Sequence, residues 1–301
     1  MMAISAGVDL HVHTYFSSDG DHSPSEVLDM ARQAGLRAIA IADHDVLDGW
    51  RIADRESSCY GVEVVPCVEL TTFLAGRELH LLAYFIASDA PEVLGKLAEI
   101  RSHDEARARA VTLSLQQRGV DISYGEAQAL TPNAVPKCSV IMRAAMTNGR
   151  NDHLPLFGEY RTGARSDQPY HNFFLDHMRP GGDLYVEPAM TFSTISAIEF
   201  VRAHLGVPIL AHPGGSIARA DGLELIDRLR KHGLCGLEVS SSYHTPDDEE
   251  RLATYCDKYD LVSTAGSDFH GATVKPGIRL GEVRSNPYTI IEKLRVCSIV
   301  S

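Results

Sequence analysis

No run of eighteen apolar residues occurs in the chain, so nothing in it reads as a membrane-spanning helix. The opening Met-Met-Ala-Ile-Ser-Ala-Gly has neither the basic start nor the apolar centre of a secretion signal, which predicts a cytoplasmic location. Cysteine is sparse: Cys59, Cys67, Cys138, Cys235, Cys256 and Cys297 are widely spaced, form no C-x-x-C pair and read as reduced thiols. Low-complexity stretches and internal repeats are missing, which sets disorder aside. Positive charge is short as well. With 28 Lys and Arg against 40 Asp and Glu, the formal charge of -12 argues against broad binding to duplex DNA, which needs a surface that neutralises phosphates. Any recognition of phosphate has to be local, and bound metal cations are the means by which an acidic chain can reverse the field at one site. Neither a membrane nor an obligatory protein partner is expected.

The 301 residues, 44% hydrophobic and 23% charged, suffice for one large α/β domain with an insertion, or for two smaller domains. Short apolar, β-branched runs predict strands at Val8 to His13, Ala38 to Ala42, Glu63 to Val68, Leu79 to Phe85, Val207 to Ala211, Leu234 to Val239 and Leu261 to Ala265. Helices are predicted between most of them. Ser23-Pro24-Ser25-Glu26 is a capping box with proline at the first helical position, and Gly35 closes that helix. Further helices are expected over Ser193 to Leu205, over Gly222 to Lys231, and from the cap Thr245 onward. Such alternation implies a parallel sheet, open or closed into a barrel. From about Ala90 to Pro188 the rhythm breaks: a long helix ends near Gly119, a second capping box stands at Ser123-Tyr124-Gly125-Glu126, and irregular sequence follows. This stretch reads as a helical insertion over the strand ends, able to cover a substrate.

His11 and His13 are one residue apart in a strand, so both side chains leave the same face. Alone, the pair is weak evidence for a metal site. Asp19 follows it, Asp43-His44-Asp45 ends the second strand, Glu69 ends the next, and His80 lies in the strand after that. His212 ends another strand within Ala211-His212-Pro213, and Gly266-Ser267-Asp268-Phe269-His270 ends the last. In a parallel α/β barrel these ends share one rim, where active sites assemble. Imidazoles and carboxylates are ligands of zinc, manganese and iron, and a carboxylate such as Glu69 can bridge two ions; cysteine is absent from the set. A bridging hydroxide between such ions can exist at neutral pH and attack phosphorus.

The order His11-Val-His13, Ser18-Asp19-Gly20, Asp43-His44-Asp45, Glu69, His80, Ala211-His212-Pro213, Gly236-Leu-Glu238-Val and Gly266-Ser-Asp268-Phe-His270-Gly271 resembles the PHP (polymerase and histidinol phosphatase) family over about residues 6 to 88 and 190 to 285. The resemblance implies a distorted (β/α)7 TIM-like barrel built from residues 1–89 and 189–301, with 90–188 as the insertion. It implies three divalent ions (Mn, Fe or Zn): one on His11, His13, Glu69 and Asp268, a second on Glu69, His80 and His212, a third on Asp19, His44 and His270. The implied activities are removal of the 3'-phosphate from nucleoside 3',5'-bisphosphates and cleavage of short RNA from its 5' end. Histidinol-phosphate phosphatase shares the metal chemistry and is the alternative. A catalytically silent metal-binding module would show missing ligands, and none is missing here.

Asp43 and Asp45 flank His44 and could orient imidazoles or cap a helix, and Asp45 joins His244 in the predicted catalytic pair. Ser240 to His244 follow a strand end; Ser240 is a candidate phosphate contact and His244 the candidate general acid. In the insertion Lys137 and Arg143 are the candidates for phosphate binding. The implied branch often carries an Arg-Pro-His-x-Ala-Arg-like stretch here, whereas this chain reads Lys137-Cys-Ser-Val-Ile-Met-Arg143 and only Arg143 aligns. Arg161, Arg165 and Arg219 are read as surface charges.

Overall fold

The predicted runs become strands because each can bury both faces. A computed structural model describes residues 7–188, 192–217, 222–284 and 287–299. In chain order it contains β1 (Val8–Val12), α1 (Pro24–Gln33), β2 (Ala38–Ile41), α2 (Asp48–Tyr60), β3 (Glu63–Pro66), β4 (Glu69–Leu74) and β5 (Arg77–Tyr84). Then come α3 (Pro91–Gln117), α4 (Tyr124–Ala129), α5 (Cys138–Thr147), α6 (Gly158–Arg161) and α7 (Pro169–Phe173). The chain continues with α8 (Thr194–Ala203), β6 (Val207–Leu210), α9 (Pro213–Ser216), α10 (Gly222–Lys231), β7 (Gly236–Ser241), α11 (Pro246–Tyr259), β8 (Val262–Gly266) and α12 (Thr289–Ile299). The capping boxes at Ser23 and Ser123 form as read, and Thr245 caps α11 with Asp248 as its reciprocal partner.

The strands form two sheets, β1-β2-β3 and β4-β5-β6-β7-β8. The first is parallel throughout. The second is mixed: β5 is antiparallel to both β4 and β6, and β6-β7-β8 are parallel. The wholly parallel expectation is therefore corrected at β5, and the segment Glu69–Leu74 is a strand that the sequence did not reveal. The cause is a two-residue turn. Ala75 and Gly76 both have positive φ, 52° and 75°, the backbone that reverses a chain tightly between two twisted strands. A proline ends β3, and the chain restarts as β4 three residues later.

Among the described residues the paired ladders stop short of one closed barrel. The sheets meet instead at short seams. At one, Val12 bridges Phe269, with the His13 amide donating to Phe269 O (2.9 Å) and the Asp268 amide to His11 O (2.9 Å). At the other, His44 bridges Glu69, and the amides of Ala83 and Phe85 donate to Val68 O (2.9 Å) and Pro66 O (3.0 Å). Residues from both sheets share one core: Val8 and Leu10, Ala38 and Ala40, Leu82 and Tyr84, Val207 and Ile209 pack with Ile291 and Leu294 of α12. The alternate residues Ile39 and Ile41 pack outward on Val27, Leu28 and Ala31 of α1.

Ser17–Asp19 and the described residues from Ala98 to 188 form a second compact unit, which takes in most of α3 and all of α4 to α7. Its own core gathers Val111, Leu115, Ile141, Met142, Phe157 and Phe173. The first two turns of α3 pack instead with the strand-bearing unit through Val93 and Leu97. No described helix is long and apolar enough to cross a membrane.

Candidate metal centre

Each ligand candidate is delivered by a strand or by the first residues beyond it. His11 lies in β1 and His13 just after it; His44 follows β2, Glu69 opens β4, His80 lies in β5, His212 follows β6, and Asp268 and His270 follow β8. The reversal of β5 explains why a ligand near the start of a strand joins ligands at strand ends. In the antiparallel register His80 faces Thr71, two residues from Glu69. Positive φ occurs at Asp45 (56°), His212 (29°) and Asp268 (54°), so the chain turns sharply at these positions in a conformation that non-glycine residues adopt only when their surroundings hold them. Gly266 is required by space. A Cβ there would lie 2.2 Å from His11 Cβ and 2.6 Å from Glu238 Oε1.

The Glu69 carboxylate is the hub. Its Oε1 lies 3.3 Å from His11 Nε2, 3.1 Å from His80 Nδ1 and 3.3 Å from His212 Nε2; its Oε2 lies 3.3 Å from His13 Nε2 and 3.2 Å from His44 Nδ1. Asp268 Oδ1 faces the same cluster, 3.1 Å from His13 Nε2 and 3.4 Å from both His11 Nε2 and His270 Nδ1. Ligand atoms converge within 4.8 Å in four groups: His13-His44-His270, His11-His212-Asp268, His11-His13-Glu69 and His44-Glu69-His80. These cut across the implied partition, joining His212 to Asp268 and His13 to the His44-His270 pair.

The donor set fits divalent metal. Glu69 Oε1 and Asp268 Oδ1 are buried and accept no hydrogen bond, a costly state for carboxylate oxygens unless a cation takes them. His11 Nε2 and His13 Nε2 point at each other across 3.1 Å, as two lone pairs aimed at one point would. The electrostatics agree. Burial opposes charge on His11, yet the carboxylates of Glu69, Glu238 and Asp268 outweigh it and raise its pKa well above the usual histidine range. Against the same burial, His13 rises to about 9 and His80 to about 10. Burial would push Glu69 and Asp268 up, but the surrounding histidines, joined for Asp268 by Lys275, hold both well below the carboxylate range.

A layer of carboxylates holds the ligands in place. Glu238 Oε1 lies 3.0 Å from His11 Nδ1, and since a carboxylate only accepts, Nδ1 carries the proton and Nε2 is turned to the cluster. Its Oε2 accepts from the His212 amide at 2.8 Å. His270 Nδ1 likewise donates to Asp268 O at 2.9 Å. Three buried aspartates repeat one device, each accepting both the amide and the hydroxyl of a Ser or Thr beside a ligand. Asp9 takes Ser267 (2.8 and 2.6 Å), Asp43 takes Thr14 (2.7 and 2.7 Å), and Asp45 takes Thr71 (2.9 and 2.7 Å). Asp45 therefore ties one strand end to its neighbour. Sequence reading named Glu238 only as part of a motif and passed over Asp9 and Lys275. A lone carboxylate in a strand gives no spacing signal for the partner it will meet.

The surroundings of the remaining predicted residues differ from one to the next. Asp19 is partly buried, is grouped with the second unit and is in none of the four ligand groups. His244 is buried with Nδ1 donating to Val239 O (2.8 Å) and Nε2 accepting from the Gly214 amide (2.9 Å), so both nitrogens are engaged by backbone. The Ser240 hydroxyl is committed to Glu249 (3.1 Å) and to the Arg284 amide (3.0 Å). Lys137 stands at the N-cap of α5 and Arg143 within it, both half-buried in the second unit. Arg161 and Arg165 pair with Asp152 and Asp176, while Arg219 lies outside the described residues.

A model of the PHP domain matches residues 9–129. Over 267 residues the chain is 27% identical to a 5'-3' exoribonuclease of Haemophilus influenzae, covering 87% of this chain and 89% of that one. Over 270 residues it is 28% identical to a 3',5'-nucleoside bisphosphate phosphatase of Chromobacterium violaceum, covering 88% and 87%. A solved structure described as that of a metal-dependent phosphoesterase from Bifidobacterium adolescentis superposes with a TM-score of 0.79 at 26% identity, covering 97% of this chain and 96% of the other. A PHP-domain match over residues 9–129 and a fold that superposes on that of a metal-dependent phosphoesterase agree with the resemblance carried by the order of the ligand motifs.

Proposed function

We propose that the chain is a metal-dependent phosphoesterase that removes phosphate from small nucleotides, nucleoside 3',5'-bisphosphates foremost, or acts at the 5' ends of short RNA. One observation carries the reading: five imidazoles converge on the two oxygens of Glu69, with Asp268 beside them. The names of the relatives that match in sequence over most of their length point to the nucleotide substrates. Divalent ions held by this set supply Lewis acidity and lower the pKa of water from 15.7 to about 7.

The residues of the chain do the positioning. Glu69 presents one oxygen towards His80 and His212 and the other towards His13 and His44, which suits a carboxylate shared between ions. We read three ions, the third on His44 and His270 with Asp19, and the His13-His44-His270 grouping supports part of that set. Nitrogen and oxygen donors without a thiolate suit manganese, iron or zinc. Glu238, Asp43 and Asp45 hold the ligands in register, and Asp45 acts there rather than on substrate. With both nitrogens of His244 engaged, the leaving oxygen takes its proton from another source. We read the strands as a distorted (β/α)7 barrel, a reading that the seam hydrogen bonds support, and residues 90–188 as the insertion that covers substrate and offers Lys137 and Arg143 to phosphate. Six cysteines, widely spaced in sequence and forming no C-x-x-C pair, suit a cytoplasmic setting.

The test is a phosphate-release screen with added manganese over adenosine 3',5'-bisphosphate, short RNA oligomers and histidinol phosphate, compared on kcat/KM. The nucleotides should lead. A preference for histidinol phosphate would move the chain to the alternative activity, and release from none of them by metal-replete protein would end the phosphoesterase reading.

A further inference from the structure

Lys275 lies on the segment that follows β8, and that segment is held at several points. Asp21 accepts the Thr273 amide at 2.8 Å, the Lys275 amide donates to Gly271 O at 3.1 Å, and the Gly281 amide donates to Asp9 Oδ2 at 2.7 Å. The side chain is only 16% exposed. Its ammonium donates to Asp268 Oδ2 and, at 3.1 Å, to Asp268 O. The two oxygens of Asp268 are thus divided, Oδ1 facing the histidines and Oδ2 facing Lys275. The remaining side of the ammonium is turned to the Tyr243 ring, 4.5 Å from its centroid. Tyr243 is 46% exposed and leans on His212, its ring centroid 5.0 Å from the imidazole.

A cation in this place has to be explained. Fixed positive charge beside a ligand repels the ions that the ligand is there to bind, so a lysine that only neutralised Asp268 would work against the centre. The charges of the loaded site give the reason. Glu69, Asp268 and the Glu238 carboxylate behind His11 make the empty site anionic, and two or more divalent ions would reverse its sign. Asp268 then shares its charge with an ion, and the buried ammonium is left short of a counter-charge, which is costly. A phosphate group supplies it.

We propose that Lys275 is a phosphate-binding residue of this centre, reaching substrate phosphate from the Tyr243 side while the metal ions hold it from the histidine side. The proposal rests on the phosphoesterase reading of the same site. A lysine suits the role, since its ammonium is a compact charge with three donors, two fixed by Asp268 and the third on the Tyr243 side, where phosphate would take over from Tyr243 as its partner.

The experiment measures binding of inorganic phosphate to the metal-loaded full chain by calorimetry, with bound metal counted by elemental analysis. Lys275→Met should keep the metal content of the parent and bind phosphate at least about tenfold more weakly, the scale of one charge-assisted hydrogen bond. Lys275→Arg should recover most of the loss; if the methionine variant does not fold, Lys275→Gln takes its place, with parental metal content and phosphate binding at least about tenfold weaker expected, and parental phosphate binding overturning the proposal. Phosphate affinity within twofold of the parent in Lys275→Met overturns it. So does loss of metal from Lys275→Met, which would make the residue an orienter of Asp268 only. Phosphate binding that depends on Lys275 in a protein cleaving no ester would remove the phosphoesterase reading alone. Ester cleavage with phosphate binding indifferent to Lys275 would remove this proposal alone.

Discussion

At the scale of single residues, the centre depends on which atom of each side chain is left for metal. Glu238 decides this for His11 by holding Nδ1. Glu238→Gln can offer an amide nitrogen where His11 needs an acceptor, so metal affinity should fall about 10- to 100-fold, as loss of an orienting partner commonly costs; competition with a fluorescent chelator would measure it, and unchanged affinity would dismiss the role. Protons compete for the same nitrogens. His13 and His80 hold theirs more tightly in the folded chain, at about 9 and about 10, than at their ordinary 6.5. Their contribution to the stability of metal-free protein is therefore complete below about pH 6.5 and is lost as pH climbs through 9 and 10. Metal uptake near pH 7.5 must release those protons. Calorimetric titrations in two buffers of different ionisation enthalpy should give different apparent heats, and equal heats would show that no proton leaves. The residues that converge on Glu69 stood out because His, Asp and Glu recur at strand ends; Lys275 did not, because nothing in Thr273-Val274-Lys275-Pro276 marks a lysine that turns back onto Asp268.

At the scale of elements, helices announced themselves through their caps and strands through apolar runs. The β4-β5 hairpin did not. Its turn uses Ala75, a residue with no preference for the left-handed region, in place of the usual Asn, Asp or Gly, so the reversal left no mark in the sequence. That choice carries strain. Ala75→Gly should raise stability by about 0.5–1 kcal/mol, read from urea unfolding, because glycine adopts positive φ without a Cβ clash; a destabilised variant would show that the turn is not strained. The antiparallel course of β5 was hidden for the same reason, since direction cannot be read from a strand's composition.

For the whole molecule, the sequence carried the α/β character, because the alternation of strand and helix signals is visible along it. The way the two sheets meet was not visible: it depends on seams a few hydrogen bonds long at Val12–Phe269 and His44–Glu69. Both seams carry candidate ligands. Ions held by them would cross-link the two sheets, and a ligand that binds only the folded state stabilises it by about 2.7 kcal/mol at a hundredfold excess over Kd. Chelation should accordingly lower Tm by several degrees and added manganese restore it; a Tm indifferent to both would separate the centre from the integrity of the fold.

The hairpin register has one more outcome. Thr71 stands opposite His80 and Glu69 opposite Leu82, so a single-residue slip would turn alternate side chains outward and set a leucine where an imidazole belongs. One extra glycine after Gly76 should therefore strip the protein of metal while its helical circular dichroism survives, although no coordinating residue has been altered. For this molecule a change in loop length is as severe a lesion as the loss of a histidine.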